Sequence, residues 1–328
     1  MPGSATSRRT PPYTLVVFAA LLWSALPASG QGFSDVYVFG DSLSDTGNAC
    51  SVLAIAGYFP GRCSNGPVWS EQFAELLGLE AEPSVLGGTN FAFGGDETGD
   101  LATQIDAFWL SNLLGPADPN ALYVIWLGGN DILGIPGSPT ATQDAVDDII
   151  GGIRDLQGMG AQHFLIANLP DIGRAYGDFT LPAGSGAIFT PAERDAVTAL
   201  SLDFNARLAT DLAAEPITTL YELDIEALVE AVFADPGAFG VVAAAIDTSS
   251  DDTDFGIPCL VDPACALDPQ GAIADGYFLF DAIHPTTSMH TVIADEAALL
   301  LPEPGAGAGL AASALAVAAL AAWRGRRS

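Results

Sequence analysis

The chain has 328 residues, 49% of them hydrophobic and only 15% charged, so it is long enough for a sizeable core and is not an intrinsically disordered polymer. Ten basic residues stand against 40 acidic ones, a net charge of −30, and this excludes a nucleic-acid or anionic-lipid surface as the natural partner. There is no lysine; residues 31–302 hold five arginines against 39 acids, while the remaining arginines cluster near the two ends.

Residues 1–30 read as an export signal. Arg8-Arg9 is a basic start, Val16 to Leu22 an apolar core too short to span a bilayer, and Ala28-Ser29-Gly30 a small-residue cleavage site before Gln31. The residues around Arg8-Arg9 do not extend a twin-arginine pattern. An exported chain meets oxidising conditions, where four cysteines point to two disulfides. Three pairings exist; Cys50 with Cys63 and Cys259 with Cys265 is the sequence-local one. No Cys-x-x-Cys occurs and there are three histidines, so no metal is expected.

Val36-Tyr37-Val38-Phe39 reads as a short buried strand that Gly40-Asp41-Ser42 interrupts. Those three residues are also ordinary turn chemistry. At the carboxyl end of a strand, however, Ser42 lies where open α/β sheets bind ligands, and a helix starting there would present free N–H groups. Asn65-Gly66-Pro67 is a turn, and Val68, Phe73, Leu76 and Leu77 follow at helical spacing with Gly78 as a stop. Ser84 to Phe93 reads as strand-like segments around Gly87-Gly88, ending in Asn90 to Asp96, whose paired glycines would let backbone approach a ligand.

Ala121 to Leu127 is a continuous apolar strand that ends in Gly128-Gly129-Asn130-Asp131. Val146, Ile149, Ile150, Ile153 and Leu156 mark one helix face; Phe164 to Leu169 is the next strand. Thr190, Pro191 and Glu193 open a long helix with a capping box, and Ile217 to Leu223 and Ile225 to Phe233 continue as strand and helix. This alternation predicts an α/β fold, a parallel sheet covered by helices on both faces. The acidic run 247–254 lacks the spacing of a calcium loop and reads as a solvated surface.

Of the three histidines, His163 leads a core strand and His290 lies on the last helix. His284 stands three residues after Asp281 in a segment fixed by Pro285, so one loop could let Asp281 hold the tautomer of His284.

The four stretches resemble, in order, the blocks of the GDSL, or SGNH, hydrolase family. Gly40 to Asp45 resembles the first block, Asn90 to Asp96 the second, Gly128 to Asp131 the third and Asp281 to Pro285 the last. Asn65 to Trp69 and Thr286-Thr287 extend the likeness, which covers nearly all of residues 34–301 and looks most like the secreted esterase/lipase branch. The resemblance implies a three-layer α/β/α sandwich, flavodoxin-like, over 31–301. It implies Ser42 as nucleophile, His284 and Asp281 completing a triad, and an oxyanion hole from Ser42, Asn130 and Gly95, with Gly94 the alternative donor. It implies no metal or organic cofactor and a small-molecule or lipid ester as substrate. A carbohydrate-acetyl esterase, or a non-catalytic surface protein on the same fold, are the other readings the residues leave open. No Gly-x-Ser-x-Gly occurs, so the scaffold is not the α/β-hydrolase elbow.

Residues 302–328 stand apart. Leu301-Pro302-Glu303-Pro304, an Ala/Gly/Leu-rich run to Trp323 and a terminal arginine cluster resemble the PEP-CTERM sorting signal. That resemblance implies transient membrane association, removal of the tail by an exosortase-type protease and release to the cell surface or extracellular matrix. A permanent single-span anchor fits the same length and charge.

Overall fold

The computed structural model describes residues 32–50, 57–134, 141–175, 190–241, 258–260 and 262–302. The proposed export signal, the C-terminal tail from 303 and the acidic run 247–254 lie outside the described residues.

Four parallel strands, β1 (Val36–Gly40), β2 (Leu122–Trp126), β3 (His163–Ala167) and β4 (Thr219–Leu223), form one sheet in the order β1-β2-β3-β4. Val38 pairs with Val124, Val124 with Leu165, and Leu165 with Tyr221. Every residue of β2 is buried, as its unbroken apolar sequence requires of a strand covered on both faces.

The stretch expected to be strand-like, 84–93, departs from expectation. Ser84–Leu86 is a short 3₁₀ turn. Residues 89–93 then run parallel beside β1, joined by Val38 N–H to Thr89, Phe91 N–H to Val38 and Phe93 N–H to Gly40, but only one bridge, Val38 with Asn90, is regular. Pro83 and the left-handed Gly87 bend the chain before a ladder can extend.

This irregular edge explains the layers. The chain leaves β1 through α1 (Trp69–Leu76) to the edge 89–93, then returns through α2 (Leu101–Ser111) to β2 on the other side of β1. Right-handed crossovers in opposite directions place α1 and α2 on opposite faces. The chain continues through α3 (Gly129–Gly134), α4 (Ala141–Met159), α5 (Ile172–Ala175), α6 (Pro191–Ala214), α7 (Ile225–Ala234), α8 (Pro263–Ala266) and α9 (Thr287–Leu299). α9 packs on α1, α4 on α2 and α6 on α4, giving a three-layer α/β/α sandwich. β1 is thus the point where the winding reverses, and its carboxyl end opens the crevice in which such folds bind ligands.

Local chemistry sets the helix starts. Thr190 Oγ1 accepts from Glu193 N–H at 3.3 Å while Glu193 Oε2 accepts from Thr190 N–H at 2.7 Å, with Pro191 at the first helical position of α6. Thr286 caps α9 with its side chain alone, accepting from Met289 N–H. The α2 helix, whose sequence carries no strong stop or start signal, buries Leu101, Gln104, Ile105 and Phe108. All four cysteines are paired, Cys50 with Cys63 and Cys259 with Cys265.

Candidate active site

Ser42 stands two residues past β1, in a single tight turn rather than at the start of a helix. Ser44 N–H and Asp45 N–H both donate to the Asp41 carbonyl, at 3.1 and 3.0 Å. The helix N-terminus anticipated behind the serine is therefore absent, because the chain turns away after one turn. Ser70 Oγ and Asn90 Nδ2 both donate to the Ser44 carbonyl, and Trp69 Nε1 donates to Ser44 Oγ at 3.0 Å. Gly40 is closely hemmed in: a Cβ there would meet Ser44 and the Trp126 carbonyl at 3.0 Å, so a larger residue would require one of them to shift.

Asp45 does the folding of the loop that follows. Its Oδ1 accepts from Gly47 and Asn48 N–H, and its Oδ2 from Ala49, Cys50 and Gly94 N–H. A buried carboxylate with five main-chain donors is well compensated for its lost hydration. It ties the turn that carries Ser42 to the stretch Asn90 to Asp96.

His284 and Asp281 sit at the tip of a hairpin-like loop. Leu279 bridges Pro285, Phe280 N–H donates to the His284 carbonyl at 2.8 Å, and Thr286 N–H donates to the Phe278 carbonyl at 3.0 Å. Asp281 Oδ1 accepts from Ile283 and His284 N–H at 2.8 and 2.7 Å, which curls the tip. The Asn65 turn anchors this loop from outside: Ser64 Oγ donates to the Pro285 carbonyl, and Asn65 Oδ1 accepts from Thr287 N–H, each at 2.8 Å.

The result is a relay. His284 Nε2 lies 2.8 Å from Ser42 Oγ, and His284 Nδ1 lies 2.7 Å from Asp281 Oδ2. Burial would raise the Asp281 carboxyl, but the charge and hydrogen bonds of His284 and a hydrogen bond from Tyr58 outweigh it and hold it at about 2. An ionised Asp281 keeps the proton on Nδ1 and leaves Nε2 facing the serine. Asp41, next to Ser42 in the chain, behaves in the opposite way. Burial raises it to about 7, with Leu43 N–H and His284 opposing and Asp131 and Asp96 adding to the rise.

Asn130 is the second residue of α3, and its Nδ2 donates to the Asp96 carbonyl at 2.8 Å, which fixes the amide plane and leaves its second N–H free to turn toward a substrate. Gly94 N–H is spent on Asp45 at 3.0 Å, whereas Gly95, with φ at +93°, and Ser42 offer main-chain N–H groups with no acceptor among the described residues. Gln104 on α2 ties the parts together. Its amide bonds both the N–H and the carbonyl of Gly40 and also reaches Asp96 Oδ2 at 2.8 Å. Trp126, Leu133, Leu169, Ile172 and Ile283 surround Ser42 and Asn130 with apolar walls.

All five residues singled out from sequence are placed at this one edge of the sheet or on the loops that it supports. Of the remaining histidines, His163 begins β3, its ring edge-on to Phe33, and His290 is fully buried in α9. Sequence reasoning assigned no role to Asp45, Gln104 or Tyr58. Asp45 lies inside the first block and was visible there; Gln104 and Tyr58 carry no local signal.

The GDSL-like Lipase/Acylhydrolase family model matches residues 36–297, from the start of β1 into α9. The chain belongs to that family. It is an ester hydrolase. The GDSL chain is 27% identical over 318 residues to the phosphatidylcholine-sterol acyltransferase of Aeromonas hydrophila, covering 83% of this chain and 91% of that protein. It is 27% identical over 342 residues to esterase EstA of Pseudomonas aeruginosa, covering 89% of this chain but spanning only 50% of EstA. A lipolytic protein of the G-D-S-L family from Veillonella parvula superposes with a TM-score of 0.43 at 13% identity, over 80% of this chain and 95% of that one.

Proposed function

We propose that this GDSL hydrolase is an exported serine esterase that cleaves carboxylic esters through an acyl-enzyme. The observation that carries the reading is the relay of 2.8 and 2.7 Å linking Ser42, His284 and Asp281. His284 Nε2 takes the Ser42 proton as Oγ attacks the ester carbonyl carbon. Asp281, ionised, stabilises the imidazolium. The oxygen that gains charge is received by the N–H groups of Ser42 and Gly95 and by the Asn130 amide. His284 then returns the proton to the leaving alcohol, and water repeats the sequence to release the acid. The apolar walls around Ser42 favour an acyl group of hydrocarbon character, in a lipid or simple ester.

A fluorophosphonate probe should label Ser42 and no other residue. A panel of p-nitrophenyl esters of rising chain length, a phospholipid and an acetylated polysaccharide then sets the substrate class. Fastest turnover of the polysaccharide would transfer the assignment to carbohydrate deacetylation. A protein that neither labels nor turns over any ester would be a non-catalytic surface protein.

Export is supported by the basic and apolar start of the chain and by the two disulfides, which belong to an oxidising compartment. Among the described residues no helix is long and apolar enough to cross a membrane. The tail 302–328 serves as a sorting signal that an exosortase-type protease removes near Pro302–Pro304. Intact mass of protein from its native host tests this; a mass that retains Trp323 and the terminal arginines would establish an anchor instead.

A further inference from the structure

We propose that Tyr58 is a positioning residue of the triad, acting through its phenol on Asp281. Tyr58 OH donates to Asp281 Oδ2 at 2.5 Å, the same oxygen that faces His284 Nδ1. Asp281 therefore receives four hydrogen bonds: two main-chain N–H groups on Oδ1, and the imidazole and the phenol on Oδ2. Two groups converging on Oδ2 leave the carboxylate no freedom to rotate, so His284 is held along one line toward Ser42.

The phenol is itself held. Its ring stands edge-on to Phe280, the neighbour of Asp281, with centroids 4.9 Å apart at 85°. Gln270 Nε2 donates to the Tyr58 carbonyl at 3.2 Å, and Phe59 N–H donates to the Ser64 carbonyl at 2.9 Å. The Cys50–Cys63 disulfide closes the loop that carries Tyr58. Burial and the adjacent carboxylate raise the phenol well above its ordinary range, so it stays a donor at any working pH. Asp41 and His290 are the other titratable groups whose charge reaches His284, and neither is bonded to Tyr58.

The inference rests on the esterase reading for its kinetic consequence. Without the phenol, Asp281 presents more of its charge to the imidazole and is less fixed. Tyr58→Phe keeps the ring packing and removes only the donor. In the full chain it should lower kcat about tenfold with KM unchanged. The acidic limb of the kcat/KM profile should move to higher pH. The ¹H resonance of the proton on His284 Nδ1 should move downfield, a readout that needs no turnover. Site-specific 3-fluorotyrosine at position 58, a more acidic donor that leaves the fold intact, should move it upfield. In an Asp281→Asn background the effect of Tyr58→Phe should vanish. An unchanged Nδ1 resonance and pH profile, or a kcat loss that persists with Asp281→Asn, overturns the proposal. A wild-type protein with no ester hydrolysis would overturn the esterase reading instead, while the Nδ1 resonance still decides the role of Tyr58.

Discussion

Asp45 Oδ2 accepts the main-chain N–H of Gly94 at 3.0 Å. This one bond takes up the Gly94 N–H, so of the two neighbouring glycines Gly95 is the one whose main-chain N–H has no acceptor among the described residues. It also couples the turn that carries Ser42 to the loop that carries Gly95. Asp45→Ala strips the acceptor from five main-chain donors at once. Because buried unpaired donors cost about 1–3 kcal/mol each and relax together, a loss of at least about 3 kcal/mol is expected. Urea unfolding checks it, and kcat should fall in whatever protein remains folded.

Ser42→Ala should reduce ester hydrolysis by roughly 10⁴–10⁶, the scale of triad deletions elsewhere. It should also abolish fluorophosphonate labelling. Near-normal turnover by a folded variant would remove Ser42 from the chemistry.

Asn130→Ala should cost about 10²–10³ in kcat with little change in KM, because the amide acts chiefly when charge develops on oxygen. Steady-state kinetics on a short-chain ester decide it. A change confined to KM would make Asn130 a binding residue.

Replacing Cys50 and Cys63 together by serine should lower stability by about 3 kcal/mol, as for a loop of this length. The Cys259–Cys265 disulfide closes a much shorter loop, a separation of 6 positions, so the same change there should cost less. Denaturant midpoints of the two double variants give the comparison.

Two buried groups should tilt the pH dependence of stability in opposite directions. Asp41 is held at about 7, above its ordinary 3.8, so between those values the folded state binds the extra proton and stability from this group falls as pH rises. His290 is fully buried and held at about 3, mainly by burial and also by the charge of His284. The unfolded state then binds the extra proton up to the ordinary 6.5, and stability from this group rises with pH. Each slope approaches about 1.4 kcal/mol per pH unit where one proton separates the states. Wild-type stability should therefore be nearly flat from about pH 4.5 to 6, rising with pH in Asp41→Asn and falling in His290→Phe. Urea unfolding across that range measures all three. Parallel profiles would show that neither group titrates differently on folding.

The local sequence determined the elements and the order of the chemistry. An unbroken apolar run makes β2 a buried strand, Thr190-Pro191 with Glu193 starts α6, and a Pro-fixed Asp281-x-x-His284 curls by bonding its own backbone. Each of these depends on residues a few positions apart, so short-range sterics and hydrogen bonding suffice. The stretch 84–93 was only half legible for the same reason: its apolar and glycine content reads as strand-like, and residues 89–93 do run beside β1, but how far they pair is settled by β1, some fifty residues earlier. Only the tertiary structure decided which distant side chains come within hydrogen-bond reach of one another. Ser42 and His284 are 242 positions apart, Tyr58 and Asp281 are 223, and Gln104 grips Gly40 across 64. No periodicity or spacing encodes such pairs. They exist because reversal of the winding at β1 brings the Ser42 turn, the Gly95 loop and the His284 loop to one edge of the sheet. There burial removes competing water and makes each hydrogen bond count.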